Sequence, residues 1–223
     1  MILPIYLYFL FPCIIVGISV YFQKSAPLYL KLLPILLTIN LIAEIVGMWL
    51  AQQYGTNVAM FNFYTSFELT FYLFLLRDMV VGKTIRLILL HLLWLYPLYC
   101  VINIVFIQGM EGWHSYSYGI GNLLIVGVSM YYFFELFKRP KAINLLTEPA
   151  FWICSGLLFF YSCSFPFLGP MNVLSVAPTV VIRNFHTIIA LLNIFHYVLF
   201  TIAFLCRINF KKPFSSKIAQ SPQ

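Results

Sequence analysis

Six polar side chains stand inside stretches of the chain that are otherwise soluble in lipid: Asn40, Glu44, Asn62, Glu68, Asn193 and His196. A carboxylate near the centre of a membrane helix costs roughly 2.5–3.5 kcal/mol on insertion scales, so it normally faces protein or a water-filled cavity and has a partner. Residues of these types can bind a small polar ligand, carry protons, or hold helices together. Spacing groups them. Asn40 and Glu44 are four apart and share one helix face. Tyr64, Thr65, Glu68 and Tyr72 form a second stripe at three- and four-residue intervals. His186, Asn193 and His196 fall within roughly an 80° arc of a third helix.

The elements that must position these groups follow from composition. The 223 residues are 62% hydrophobic and 9% charged, with a mean hydropathy of +0.94, where a soluble domain has about 45–50% apolar and 25% charged residues. Crossing the roughly 30 Å hydrocarbon core takes about 20 apolar residues. Seven runs qualify: 2–22, 30–50, 58–76, 87–107, 119–137, 150–168 and 185–206. They are about twice the length of a barrel strand, and only helices satisfy their own backbone in lipid, so a seven-transmembrane-helix bundle over residues 1–206 is expected. The first run lacks a basic leader and a small-residue cleavage site and reads as a retained helix, not a signal peptide.

Orientation follows from the thirteen Lys and Arg residues. Lys24, Lys31, Arg77, Lys83, Arg86, Lys138, Arg139, Lys141, Arg207, Lys211, Lys212 and Lys217 fall on one side of the bundle, and Arg183 alone on the other. The positive-inside rule puts the N-terminus outside and the C-terminus inside. The net charge of +7 is therefore topological, and a nucleic-acid partner is excluded because no basic face or stripe exists. Residues 207–223 form a short basic tail, too small to fold alone and expected to be disordered near an anionic inner leaflet. The outer connection 169–184 is apolar enough to lie along the membrane surface.

With this topology, 1.5 Å per residue sets depths below the outer boundary. Glu44 comes to about 10 Å and Asn40 to about 16 Å; Asn62 to about 8 Å and Glu68 to about 16 Å; Asn193 and His196 to about 13 and 18 Å. Three helices thus carry polar stripes at overlapping depth, and a shared pocket between helices two, three and seven is expected. The competing reading is interhelical hydrogen-bond glue, worth about 0.6 kcal/mol per contact on average. That accounts for asparagines more easily than for glutamates.

Other groups read as structural. Glu135 beside Lys138 and Arg139, and Asp78 beside Arg77, are expected to form ion pairs at the inner surface. Trp113, His114, Tyr116 and Tyr118 suit an outer aromatic belt or, alternatively, a ligand lid. The five cysteines read as small buried hydrophobes, with a Cys100–Cys163 bridge left open because both fall toward the outer side.

Several activities are excluded or lack their residues. A retinal pump needs a lysine in the seventh helix, and 185–206 has none. No G-x-S-x-G, H-E-x-x-H or zinc-finger spacing occurs. A zinc site from Glu44, Glu68 and His196 is geometrically conceivable, but no metal or other cofactor is expected. The segments YTSFELTFYLFLL and EPAFWICSGLLFFYSCSFPF, the second followed by an apolar outer loop and a final helix, resemble the seven-helix sensor regions found ahead of bacterial histidine kinases and their stand-alone relatives. That resemblance implies a sensor of the bacterial inner membrane that passes its state to a cytoplasmic output. With only the short tail 207–223 after the last helix, no output domain is expected, and a separate signalling partner is implied. The expected function is a stand-alone, multi-pass, receptor-like sensor for a small ligand, without catalysis. The alternatives are a proton-coupled small-solute carrier using Glu44 and Glu68, and a metal-dependent membrane lipid hydrolase.

Overall fold

The computed structural model describes residues 4–138, 144–169, 172 and 179–209. Among these, the chain forms seven helices of fifteen residues or more: α1 (Leu7–Tyr21), α2 (Leu28–Tyr54), α3 (Val58–Met79), α4 (Lys83–Ile102), α5 (Ser115–Phe137), α6 (Pro149–Leu168) and α7 (Thr179–Asn209). A π-helical stretch, Asn103–Ile107, continues α4, and a single 3-10 turn, Leu145–Thr147, precedes α6. Five helices, α2, α4 with its extension, α5, α6 and α7, are long and apolar enough to cross a membrane. The chain is an all-helical, polytopic membrane protein.

The two remaining helices differ for physical reasons. α3 carries Asn62, Thr65, Ser66, Glu68 and Thr70 along its length and Arg77 and Asp78 in its last turn, which lowers its hydropathy. α1 has fifteen residues, or about 22 Å at 1.5 Å per residue. Its expected start at residue 2 lies outside the described residues, as do Arg139, Lys141 and the tail from 210 onward, Lys211, Lys212 and Lys217 included. α7 begins at Thr179, earlier than the expected 185, so the helix takes up part of the segment expected to lie along the surface.

Helix ends are set by backbone demands. Gly55 closes α2 in the left-handed conformation, φ 76°, and its N–H returns to the Ala51 carbonyl. Two carboxylates expected to form ion pairs accept backbone N–H groups at helix starts, and Arg139, one expected partner of Glu135, lies outside the described residues. Asp78 accepts the Tyr29 N–H at the start of α2 (3.2 Å), and Glu135 accepts the Val81 and Gly82 N–H groups ahead of α4 (2.8 and 2.7 Å). The first N–H groups of a helix have no partner within it, and an anion there also meets the favourable end of the helix dipole. Lys138 lies over the Phe134 ring, 4.0 Å from its centroid. These contacts, with Arg207 donating to the Ser25 carbonyl and hydroxyl, gather Lys24, Arg77, Lys83, Lys138 and Arg207 at one end of the bundle, the basic end.

Packing closes six helices into a ring in the order α1, α2, α3, α5, α6, α7 and back to α1, with α4 outside it against α3 and, lightly, α5. The outlying helix turns large side chains away from protein: Trp94 is 79% exposed and Phe106, in the π-helical stretch, 80%. The ring closes where Gly17 lets α1 approach both neighbours. A Cβ there would lie 2.8 Å from the Pro34 side chain of α2 and 3.0 Å from the Phe204 ring of α7. Toward the basic end the ring is solid, with Leu33, Leu37, Leu73, Leu76, Phe200 and Phe204 fully buried.

Candidate functional site

At the opposite, aromatic end the ring encloses a cavity of about 270 Å3. Its walls come from α2, α3, α5, α6 and α7 and from the α4–α5 connection. Asn40, Glu44, Glu68, Asn193 and His196 all line it. Five of the six polar residues expected to share a pocket are therefore brought together, from the three helices whose depths overlap in sequence.

Each is held differently. Asn40, almost fully buried, donates its amide to the Tyr197 hydroxyl (3.0 Å), which joins α2 to α7 across the ring. Glu44 accepts the Tyr6 hydroxyl at 2.8 Å, so the start of α1 reaches the cavity's edge. Glu68 has the Tyr64 hydroxyl beside it one turn back on α3. Both glutamates are only partly screened from solvent. Asn193 donates back to the Ile189 carbonyl of its own helix at 3.0 Å. His196, 4% exposed, lies among rings: its centroid is 4.0 Å from Phe200 and 5.0 Å from Phe160, and Nε2 is 3.5 Å from the Tyr72 hydroxyl. Nδ1 faces Gly156, where a Cβ would come within 3.5 Å of it.

Asn62 does not line the cavity, although its depth matches. Six residues before Glu68, it sits about 120° around α3 from that side chain, and it meets the α4–α5 connection instead. Its amide donates to the Gly112 carbonyl (2.8 Å) and its oxygen accepts the His114 N–H (2.9 Å). Both hydrogen-bonding ends of the side chain are spent on backbone, and Asn62 is 2% exposed.

That connection forms a fixed cap. Gly109 takes a positive φ of 71°, and the His114 ring returns to its carbonyl at 2.5 Å. The Trp113 indole N–H donates to the Leu168 carbonyl at the end of α6 (2.9 Å), and Asn172 exchanges hydrogen bonds with the Trp113 backbone (3.1 and 2.9 Å). Trp113 and Tyr118 line the cavity with ring centroids 5.8 Å apart, whereas Tyr116 is 59% exposed and His114 is buried. Of the four aromatic residues expected to form a belt or a lid, two face the cavity, one faces outward and one is packed within the cap.

Tyr6, Tyr161, Tyr197 and Phe160 carry no signal in sequence, because one aromatic residue among many in an apolar run cannot be assigned a direction. A usable signal exists for Tyr118. Asn122, four residues later on α5, is 1% exposed and donates to the Tyr118 hydroxyl (3.3 Å) and the Tyr161 carbonyl (2.9 Å), while Ser164 of α6 bonds Tyr118 at 2.8 Å. An asparagine within an apolar helix marks a face turned to protein.

Among the described residues no three His, Cys, Asp or Glu side chains converge as metal ligands, so Glu44, Glu68 and His196 do not assemble a zinc triad. The five cysteines are free, Cys100 and Cys163 among them. Comparison of the chain with protein-family models, curated proteins and solved structures finds no match.

Proposed function

We propose that this protein is a stand-alone, receptor-like sensor of the bacterial inner membrane. All seven helices span the bilayer, with the N-terminus outside and the C-terminus inside, and a small ligand enters the cavity from the outer side. The chain has no catalysis of its own and reports occupancy to a separate cytoplasmic partner at its basic end. The observation that carries this reading is a cavity that holds two carboxyl groups and is confined to one end of a closed helical ring above a packed layer. The positive-inside rule assigns the basic end to the cytoplasm, which turns the cavity outward.

Several features favour reception over passage. Leu33, Leu37, Leu73, Leu76, Phe200 and Phe204 fill the ring between the cavity and the basic end. The cap is tied to α3 through Asn62 and to α6 through Trp113, and α7 is tied to α2 through Asn40 and Tyr197. A ligand wedged among these elements would act on helices that also meet at the basic end, where Asp78 and Glu135 fix the neighbouring helix starts. The resemblance to kinase-linked sensor regions supports the same reading.

The test is native mass spectrometry of gently extracted protein, followed by hydrogen exchange of the as-purified and stripped forms. A retained organic molecule, lost in Glu68→Leu, with slower exchange around residues 22–27 and 79–82 when it is bound, is the expected result. Solute flux into vesicles driven by a pH gradient would replace the sensor by a carrier. Stoichiometric metal lost on replacing Glu44, Glu68 or His196 would replace it by a hydrolase.

A further inference from the structure

The chemistry of the cavity wall selects a ligand class. Glu44 and Glu68 supply two carboxyl groups on adjacent helices, and no Lys or Arg occurs among the described residues that line the cavity. Every cation of the basic end lies beyond the packed layer. The polar remainder of the wall consists of amides, hydroxyls and one imidazole, and the rest is largely aromatic: Tyr64, Trp113, Tyr118, Phe160, Tyr161 and Tyr197 present rings from four helices and the cap. Aromatic faces carry negative potential and attract ammonium groups, by about 0.5–1 kcal/mol at exposed sites and about 2 or more where water is excluded.

From this wall we infer that the cavity binds a small organic ammonium ion, held by the Glu68 carboxylate and the surrounding aromatic faces. The inference rests on reading the cavity as a receptor site and adds the class of its ligand. Glu68 is the anchor because it lies deeper among the rings than Glu44 and lines the cavity beside Tyr64, Tyr72 and Tyr161. An anionic ligand would meet two carboxyl groups with no Lys or Arg among the described lining residues to offset them. A cation supplies the counter-charge that keeps a carboxylate ionised in such a setting, which a neutral ligand does not. Size narrows the class further. A volume of about 270 Å3 falls just below the roughly 300–1,000 Å3 of sites for drug-sized ligands, so the ion has few heavy atoms, as in a methylated or short-chain amine.

The experiment titrates the full-length protein in lipid nanodiscs with choline, tetramethylammonium, 3,3-dimethylbutanol and acetate. Melting temperature and tryptophan fluorescence, to which Trp113 contributes from the wall, are the readouts. The alcohol has the shape of choline with a carbon in place of nitrogen, so it separates charge from fit. Choline or tetramethylammonium should stabilise the protein and change its fluorescence, and the alcohol and acetate should not. Glu68→Gln keeps the side-chain shape and should weaken choline binding by about tenfold or more, the loss expected when a charge-assisted contact becomes a neutral one. Phe160→Leu keeps apolar volume and removes one ring; it should weaken choline and leave the alcohol unchanged.

Equal binding of the alcohol and choline, or binding of acetate, would overturn the ammonium assignment and leave a receptor for another class of ligand. No response to any of the four compounds would also overturn it. The receptor reading itself falls on different results: solute flux, stoichiometric metal, or a native protein that retains no organic molecule and whose basic end exchanges alike before and after stripping.

Discussion

Four of the six carboxyl side chains divide between the two ends of the bundle, and their surroundings differ in kind. At the basic end, Asp78 and Glu135 accept backbone N–H groups at helix starts, at 2.7–3.2 Å. At the aromatic end, Glu44 and Glu68 meet tyrosine hydroxyls and an open cavity. Backbone donors at a helix start need an acceptor in the folded state, and a carboxylate that supplies it is part of the fold. A hydroxyl makes no such demand, because it can turn to another acceptor or to water. The first pair holds helices in place, and the second is left for something that enters.

The contrast between a solid end and a hollow one can be broken most directly at the layer between them. Phe200 is fully buried, and its ring lies 4.0 Å from that of His196. Phe200→Ala would extend the cavity toward the basic end and cost about 3–5 kcal/mol, the range for removing a buried phenylalanine. Steric-trap or detergent-titration unfolding in bicelles measures this. A loss below about 1 kcal/mol would mean that the layer is not packed and that passage through the ring deserves another hearing.

Next in size is removal of a cap. Glu135→Ala leaves two N–H groups ahead of α4 without their acceptor and should cost about 1–2 kcal/mol. Asp78→Ala, with a single N–H at stake, should cost about 1 kcal/mol. Both variants should bind ligand as the parent does, since neither carboxylate approaches the cavity. A binding defect in Glu135→Ala without loss of stability would show that the two ends are coupled through α4 and α5, which would sharpen the sensor proposal.

Asn62→Ala tests the cap over the cavity. The side chain makes two hydrogen bonds to the backbone at Gly112 and His114, and its loss should cost about 1–3 kcal/mol for the buried groups left unmet. Hydrogen exchange of residues 109–114 should accelerate while the cores of α2 and α7 stay protected. If exchange there is unchanged, Trp113 and Asn172 alone hold the cap.

These outcomes bear on what could be read without a structure. Helix positions were legible because lipid requires about 20 apolar residues per crossing, and the runs at 30–50 and 87–107 could hardly be anything else. The convergence of Asn40, Glu44, Glu68, Asn193 and His196 was legible because depth is additive along a helix. Direction around a helix was harder to read. Asn62 matched in depth, but its turn of α3 faces the connection. Ring order is set by packing between residues far apart in the chain, so neither the outlying position of α4 nor the approach of Tyr6 to Glu44 could be foreseen. The backbone contacts of Asp78 and Glu135 were not legible for a related reason. Each stands beside a basic residue in sequence, and the N–H groups they accept lie 49 residues away for Asp78 and 53 and 54 for Glu135.

The smallest expected effect is on stability in Glu44→Gln, and it bears most closely on the division of the carboxyl groups. Tyr6 donates to Glu44 at 2.8 Å, and a glutamine carbonyl oxygen can accept the same hydrogen bond from the same position. Charge is lost while shape and partner are kept, so the unfolding free energy should change by no more than about 0.5 kcal/mol. Glu44→Leu, which leaves the hydroxyl without that acceptor, should cost more. If the glutamine variant loses as much as Glu135→Ala, the charge of Glu44 is part of what closes α1 onto α2, and the hollow end is built as tightly as the solid one. If it loses almost nothing and ligand affinity falls, the carboxylate serves the ligand and not the fold.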